Sequence, residues 1–158
     1  MPPTHPPRLS IGMPIYNGEK YMAETIDSVL DQGFVDFELI ISDNCSTDAT
    51  AEIAQGYAAR DERVRYVRNA VNLGAARNYN QLVAFARGEF FKWQGYDDVL
   101  RPGYLEHCVA ALDADPGAIL AYPRTSIIDG EGAFVRDHED NLFLSSPDQV
   151  ERVRTFTA

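Results

Sequence analysis

Cysteine is scarce: Cys45 and Cys108 are the two in 158 residues, far apart along the chain. Two such thiols build neither a disulfide framework nor a cysteine-rich zinc site, and they fit a reducing, cytoplasmic setting. Long apolar runs are missing as well. Nothing approaches the roughly 18 residues that span a bilayer, and the N-terminus lacks a hydrophobic signal segment, so no transmembrane segment is expected. Basic residues are few, 14 Lys+Arg against 24 Asp+Glu, giving a formal charge of −10. That balance argues against nucleic acid as a partner, because phosphate-backbone binding needs clustered Lys and Arg. Two phosphate-binding signatures are lacking too. No G-x-G-x-x-G follows the first apolar run, where Pro14-Ile-Tyr-Asn-Gly18 stands, and G-x-x-x-x-G-K-[ST] occurs nowhere. A dinucleotide dehydrogenase and a P-loop nucleotidase are set aside on that ground.

What remains is ordinary for a soluble globular protein, 45% hydrophobic and 24% charged, and long enough for one domain with a real core. Residues 1–7 hold four of the nine prolines and read as a disordered or extended leader, with the domain at 8–158. From Leu9 the pattern alternates. Strands are expected at Leu9–Met13, Phe37–Ile41, Val64–Val67, Glu89–Trp93 and Ala118–Tyr122. Between them lie helical stretches at Glu19–Gln32, then up to about Arg60, then Gly74–Ala86, with a last one opening at Pro102. The third helix is expected to bury Tyr79, Leu82, Val83 and Ala86; the fourth, Leu105, Cys108, Val109 and Leu112. Ser126–Ile128 and Ala133–Val135 flank Asp129-Gly-Glu-Gly132, a hairpin signal. Strands alternating with helices predict an α/β, Rossmann-like, mostly parallel sheet with helices on both faces.

In such sheets ligands sit beyond the carboxyl ends of the strands. Tyr16-Asn17, Asp43-Asn44 and Asp97-Asp98 each follow a strand directly and converge on one crevice. A pyrophosphate beside bare carboxylates is repelled, so Asp97 and Asp98 make chemical sense with Mg2+ or Mn2+ between them and the phosphates. Tyr16 offers a ring for stacking, and Asp43 an acceptor for a base N–H. Taken singly each residue has a plainer reading: Asp pairs favour turns, Asp48 suits a helix cap, and Tyr16 suits a half-buried turn. Their shared placement is what carries weight.

Four segments carry a family resemblance over about residues 8–125. They are Ser10-Ile-Gly-Met-Pro-Ile-Tyr-Asn-Gly-Glu-Lys-Tyr21 with Glu24–Gln32, Ile40-Ile-Ser-Asp-Asn-Cys-Ser-Thr-Asp-Ala-Thr50, Asn72-Leu-Gly-Ala-Ala-Arg-Asn78, and Phe91-Lys-Trp-Gln-Gly-Tyr-Asp-Asp-Val-Leu-Arg-Pro102. In this order they resemble the N-terminal part of GT-A fold, family 2 glycosyltransferases. The resemblance implies a nucleotide-sugar site, with UDP-sugar as the usual donor. Pro14, Tyr16, Glu19 and Asp43 match positions around the base, Arg77 one near the base or diphosphate, and Asp97 and Asp98 the acidic pair at ribose and metal. Many relatives read D-x-D-D where this chain has Gly95-Tyr-Asp-Asp98, so one carboxylate is lacking. Asn44 stands where a second Asp is frequent.

The implied reaction is an inverting, metal-dependent transfer to an unidentified acceptor, a saccharide or a lipid-linked one. The alternative is a non-catalytic nucleotide- or protein-binding module of the same fold, motivated by the missing carboxylate. A nucleotidyltransferase would carry a Gly-rich basic loop after the first strand, which Tyr16-Asn-Gly-Glu19 is not. Ser146-Pro-Asp-Gln149 reads as the start of a helix that Ala158 interrupts. The expectation is therefore a C-terminally incomplete GT-A domain whose catalytic base lies beyond Ala158. Asp137-His-Glu-Asp140 reads as a solvated loop, and His5 and His107 carry no functional weight.

Overall fold

In the computed structural model, which describes residues 5–138, two strands have no exposed position. These are β1 (Leu9–Ile15) and β2 (Phe37–Asp43), and burial at every position is the mark of central strands covered on both faces. With β3 (Val64–Arg68) and β4 (Phe90–Trp93) they form a four-stranded sheet in the order β3-β2-β1-β4. Every neighbouring pair is parallel, with Ile11 opposite Leu39 on one side and Lys92 on the other.

Side chains alternate across the sheet, so each face recruits its own helices. Leu9, Ile11, Met13 and Ile15 point to one side with Phe37, Leu39 and Ile41. There they meet Met22, Ile26 and Val29 of α1 (Met22–Leu30), Ala54 and Tyr57 of α2 (Thr50–Arg60), and Leu105 of α4 (Tyr104–Ala114). Each fully buried Ile, Leu or Met contributes on the order of 1.5–3 kcal/mol. The opposite side belongs to α3 (Ala75–Phe85), whose Leu82 is buried against Gly12. A Cβ on Gly12 would lie 2.9 Å from Phe91 Cζ and 3.0 Å from Leu82 Cβ, so only a glycine leaves room for both. The expected helices on both faces are present.

Three local expectations are corrected. The helix after β1 starts at Met22, not Glu19, because the Glu19 amide and carboxylate bond to Asp48 and Ala49 at the start of α2. On α3 the side facing the sheet is Asn78 and Leu82, while Tyr79 and Val83 are exposed. Polar bonds from Asn78 and Gln81 to Ser42 fix that rotation. Residues 118–122 form no strand, and Ile119 is 96% exposed. An apolar run becomes a strand only with a partner to complete its hydrogen bonds, and this segment has none among the described residues.

The chain divides into two compact units, Met1–Ala110 and Ala111–Ala158. In the second, β5 (Ser126–Ile128) and β6 (Phe134–Asp137) pair antiparallel, as expected for that hairpin. Asp129 organises its turn, with Oδ1 accepting the amides of Glu131 and Ala133, and Gly132 takes a φ of +80°. Asp137 belongs to β6, and its carboxylate accepts the Ser126 hydroxyl. His138 follows, exposed, its amide donating to Thr125 O at 2.8 Å. Residues 139–140 of the expected acidic loop, the helix from Ser146 and the first four leader residues lie outside the described residues.

β4 enters the sheet through a tight approach at Gly88, whose amide donates to Ser10 Oγ at 2.8 Å. A Cβ there would sit 2.5 Å from Ser10 N and 2.8 Å from Leu9 C, both backbone atoms that cannot give way. Gly88→Ala is therefore expected to destabilise by about 1–3 kcal/mol. A thermal melt checks this, and an unchanged midpoint would contradict the tight packing.

Candidate functional site

Strands β2 and β3 are added on one side of β1 and β4 on the other, so the winding order reverses between β1 and β4, and the crevice at such a switch point is where α/β sheets bind ligands. Four loops meet at this carboxyl edge. The β1–α1 loop is tied to the β2–α2 loop by paired bonds: Asn17 N donates to Ser46 Oγ, and Thr47 N to Asn17 Oδ1, both at 2.9 Å. Gly18 N donates to Thr50 Oγ1. Asn17 adopts a positive φ of 53°, which asparagine tolerates, and this turns the chain so that both contacts form. Tyr16 projects into solvent beside this stitch, and Pro14 is buried below it.

Asp43, at the end of β2, is fully buried. Its Oδ1 accepts Ser46 N at 2.8 Å, and its Oδ2 accepts the Tyr66 hydroxyl at 2.7 Å and Arg68 Nη1 at 3.3 Å. In this arrangement it holds the loop rather than presenting an open acceptor. Burial and the Asp43 carboxylate push the Tyr66 phenol above its ordinary range. Arg68 also donates to Ser46 O at 2.7 Å, so one guanidinium braces the same loop from the β3 side. Glu19 is exposed, with Oε2 accepting Ala49 N at 2.8 Å. Asp48 accepts the amides of Glu19 and Thr50. Partial burial would raise its carboxyl, but the Thr50 hydroxyl and these amides prevail and hold it below the ordinary range. The cap expected at Asp48 falls instead on Ala49, which makes no side-chain cap bond; Asp48 accepts Thr50 N from one position upstream.

The acidic pair lies in the turn after β4. Gln94 is buried, and its Nε2 donates to Gly95 O at 3.1 Å and Asp98 O at 2.9 Å. Thr25 of α1 donates its hydroxyl to Tyr96 O. These bonds fold the turn so that Asp97 and Asp98 converge over Gly95. A Cβ on Gly95 would collide with Asp98 Oδ2 and lie 3.3 Å from Asp97 Oδ1. Both residues are exposed. Tyr96 reaches the β1–α1 loop, where its Cδ2 would be 2.9 Å from a Cβ on Gly18. The structure thus brings the loops of Tyr16, Asp43 and Asp97-Asp98 together. Arg77 stands exposed on the first turn of α3, joined to none of the other candidates by a hydrogen bond or ion pair among the described residues.

Two cations here escape a reading based on loops. Arg68 is the last residue of β3, so the strand-end rule that singled out Asp43 would have found it. Lys92 lies on β4 beneath the acidic turn, donating to Gln94 Oε1 at 2.6 Å and sitting 5.0 Å over the Tyr104 ring. Burial lowers its ammonium to about 8 despite the opposing field of Asp98. No sequence pattern marks it, since a lysine in a four-residue strand reads as an edge residue.

No group of three or more His, Cys, Asp or Glu side chains gathers among the described residues. Two exposed carboxylates folded into one turn nevertheless suit Mg2+ or Mn2+, which take one or two carboxylates and complete their shell with water and substrate phosphates.

The sequence matches the profile described as Glycosyl transferase family 2 over residues 10–157. The chain belongs to that family. Among family 2 relatives, the uncharacterized glycosyltransferase RT0329 of Rickettsia typhi is 32% identical over 147 residues, 92% of this chain and 43% of the relative. Chondroitin synthase of Escherichia coli is 33% identical over 129 residues, 82% of this chain and 19% of that protein. Among solved structures, S. aureus TarS 1-349 in complex with UDP-GlcNAc aligns with a TM-score of 0.64 at 30% identity, covering 68% of this chain and 31% of TarS 1-349. The mannosyltransferase PcManGT from Pyrobaculum calidifontis, in complex with GDP-Man and Mn2+, aligns with a TM-score of 0.64 at 25% identity, covering 72% and 34%. The chain spans less than half the length of each of these proteins. Its mixed α/β fold with a parallel central sheet is the GT-A, Rossmann-like fold of these neighbours. Among the described residues no helix is long and apolar enough to cross a membrane.

Proposed function

We propose that this chain is the donor-binding part of a metal-dependent glycosyltransferase that takes a sugar from a nucleotide-sugar, a UDP-sugar in the first instance, with inversion. The convergence of Asp97 and Asp98 over Gly95, at the switch point of the sheet, carries the reading. The neighbours solved with UDP-GlcNAc and with GDP-Man and Mn2+ support it.

In this reading Tyr16 offers its exposed ring to the base, Pro14 floors the pocket, and Glu19 and Asp43 fix its wall through their loop bonds. Arg77 supplies a cation for the diphosphate. Asp97 and Asp98 hold Mg2+ or Mn2+. When bound, the cation neutralises charge on the departing diphosphate. An acceptor hydroxyl attacks the anomeric carbon in line, the bond to the diphosphate oxygen breaks, and a carboxylate elsewhere in the protein takes the hydroxyl proton. No described residue is assigned that proton. The acceptor is a saccharide or a lipid-linked hydroxyl compound. The free thiols of Cys45 and Cys108 fit a cytoplasmic protein.

Calorimetric titration of the full-length protein with UDP and GDP, with and without Mn2+, tests the reading. Binding that strengthens at least tenfold with Mn2+ is expected for one of them. Absence of binding by either nucleotide in both conditions would overturn it.

A further inference from the structure

We propose that Thr25 is a positioning residue for the cation: its hydroxyl ties the turn of Asp97 and Asp98 to α1 and so sets the span between that turn and the loop of Tyr16. The proposal rests on the donor-site reading above and adds to it a residue that touches neither nucleotide nor metal.

Thr25 lies inside α1 and is 1% exposed, among the buried Met22, Ile26 and Val29. Valine has the same shape and no polar atom to bury, so packing does not call for a hydroxyl here. A threonine hydroxyl within a helix commonly turns back to the carbonyl four residues earlier. That of Thr25 donates to Tyr96 O instead, at 2.8 Å. Tyr96 directly precedes the acidic pair.

The carboxylates of Asp97 and Asp98 make no hydrogen bond or ion pair among the described residues. The backbone of their turn therefore sets where they lie. Gln94 Nε2 holds the carbonyls of Gly95 and Asp98, and Thr25 holds that of Tyr96. Gln94 belongs to the same strand end and fixes the shape of the turn. Thr25 reaches it from another element and fixes its place. Two more α1 side chains bond the segment past the acidic pair: Ser28 Oγ accepts Leu100 N at 3.0 Å, and Gln32 Oε1 accepts Leu105 N at 3.2 Å. At its other end α1 is continuous with the β1–α1 loop, where Met22 N donates to Gly18 O at 3.1 Å. A nucleotide with its base at Tyr16 and its diphosphate at the cation bridges the two loops, and the Thr25 bond keeps them at one separation.

The test is calorimetric titration of the full-length protein with UDP, or GDP if that is the nucleotide bound, with and without Mn2+. Thr25→Val removes the donor and keeps the shape. It is expected to cut the strengthening by Mn2+ about fivefold, corresponding to about 1 kcal/mol, while metal-free affinity changes less than twofold. Thr25→Ser keeps the hydroxyl and should keep the strengthening within twofold, as should Ser28→Ala, which frees Leu100 beyond the pair. Should Thr25→Val fail to fold, Thr25→Ala removes the same donor and carries the same expectation. Without nucleotide, the backbone 15N order parameters of Asp97 and Asp98 should fall in Thr25→Val from about 0.85 toward 0.6. Equal losses with and without Mn2+, a loss in Thr25→Ser or Ser28→Ala as large as in Thr25→Val, or unchanged order parameters would overturn the proposal. Failure of the wild type to bind either nucleotide sinks the donor reading instead, and the order parameters still decide whether Thr25 holds the turn.

Discussion

Asp97→Asn is expected to weaken Mn2+-dependent binding of UDP by at least about 100-fold while leaving the melting temperature unchanged. The size follows from the ligand count. A cation held by two protein carboxylates and the phosphates loses a charged oxygen that neither water nor Asn replaces in kind, and even residues that only support metal ligands are worth about 10–100-fold. The unchanged stability follows from exposure, since Asp97 is open to solvent and its side chain makes no hydrogen bond or ion pair among the described residues. Asp98→Asn should have the smaller effect. The field of Lys92 acts on Asp98, and that buried positive charge offsets part of the attraction a cation would feel there. Titration of both variants with UDP, with and without Mn2+, checks the order. Equal affinity in Asp97→Asn and wild type would remove the metal from Asp97, and a larger loss in Asp98→Asn would reverse the assignment.

Central strands announce themselves in a sequence because they are covered twice. Leu9–Ile15 and Phe37–Asp43 have no exposed position, so their apolar runs needed no knowledge of the partner to be seen. The strand-end clusters followed from the topology alone, and the structure gathers their loops at one edge. Errors arise where a polar network decides the packing. On α3 the apolar residues Tyr79 and Val83 were expected inside, yet Asn78 and Gln81 bond to Ser42 and turn them out. Helix periodicity weighs only hydrophobicity and cannot anticipate a buried amide network. Residues 118–122 fail for another reason: β-propensity describes a surface that a neighbouring strand must complete, and pairing is not written into the segment itself. The roles of Lys92 and Arg68 rest on distances between separate elements, which spacing along the chain does not encode.

Removing the Glu38 carboxylate is expected to destabilise the fold by about 3 kcal/mol, far from the crevice. Glu38 sits on the α3 side of β2 and is 3% exposed. Its Oε1 accepts Ser10 Oγ at 2.7 Å and Arg87 N at 3.0 Å; its Oε2 accepts Arg87 Nε at 3.0 Å and Nη2 at 2.8 Å. Glu38→Ala leaves the Ser10 hydroxyl without its acceptor and the Arg87 amide with Ser10 Oγ alone, at 3.1 Å, where β1, β2 and the entry to β4 meet, and breaking a buried pair typically costs about 3–5 kcal/mol. The half-exposed Arg87 guanidinium can turn to water, which places the value at the low end. Glu38→Gln keeps one oxygen acceptor and should lose about 1–2 kcal/mol. The charge itself is read out by pH. Burial raises the Glu38 carboxyl, but the Arg87 side chain, the Ser10 hydroxyl and the Arg87 amide together hold it below its ordinary 4.5. A depressed carboxylate stabilises the fold at pH values above that of the unfolded chain, and the contribution disappears as pH falls through the folded value. Urea denaturation of wild type and Glu38→Gln from pH 7 to pH 3 should therefore show a gap that is constant down to about pH 5 and closes below it. Parallel curves across that range would mean that the Arg87 pair contributes through hydrogen bonds alone.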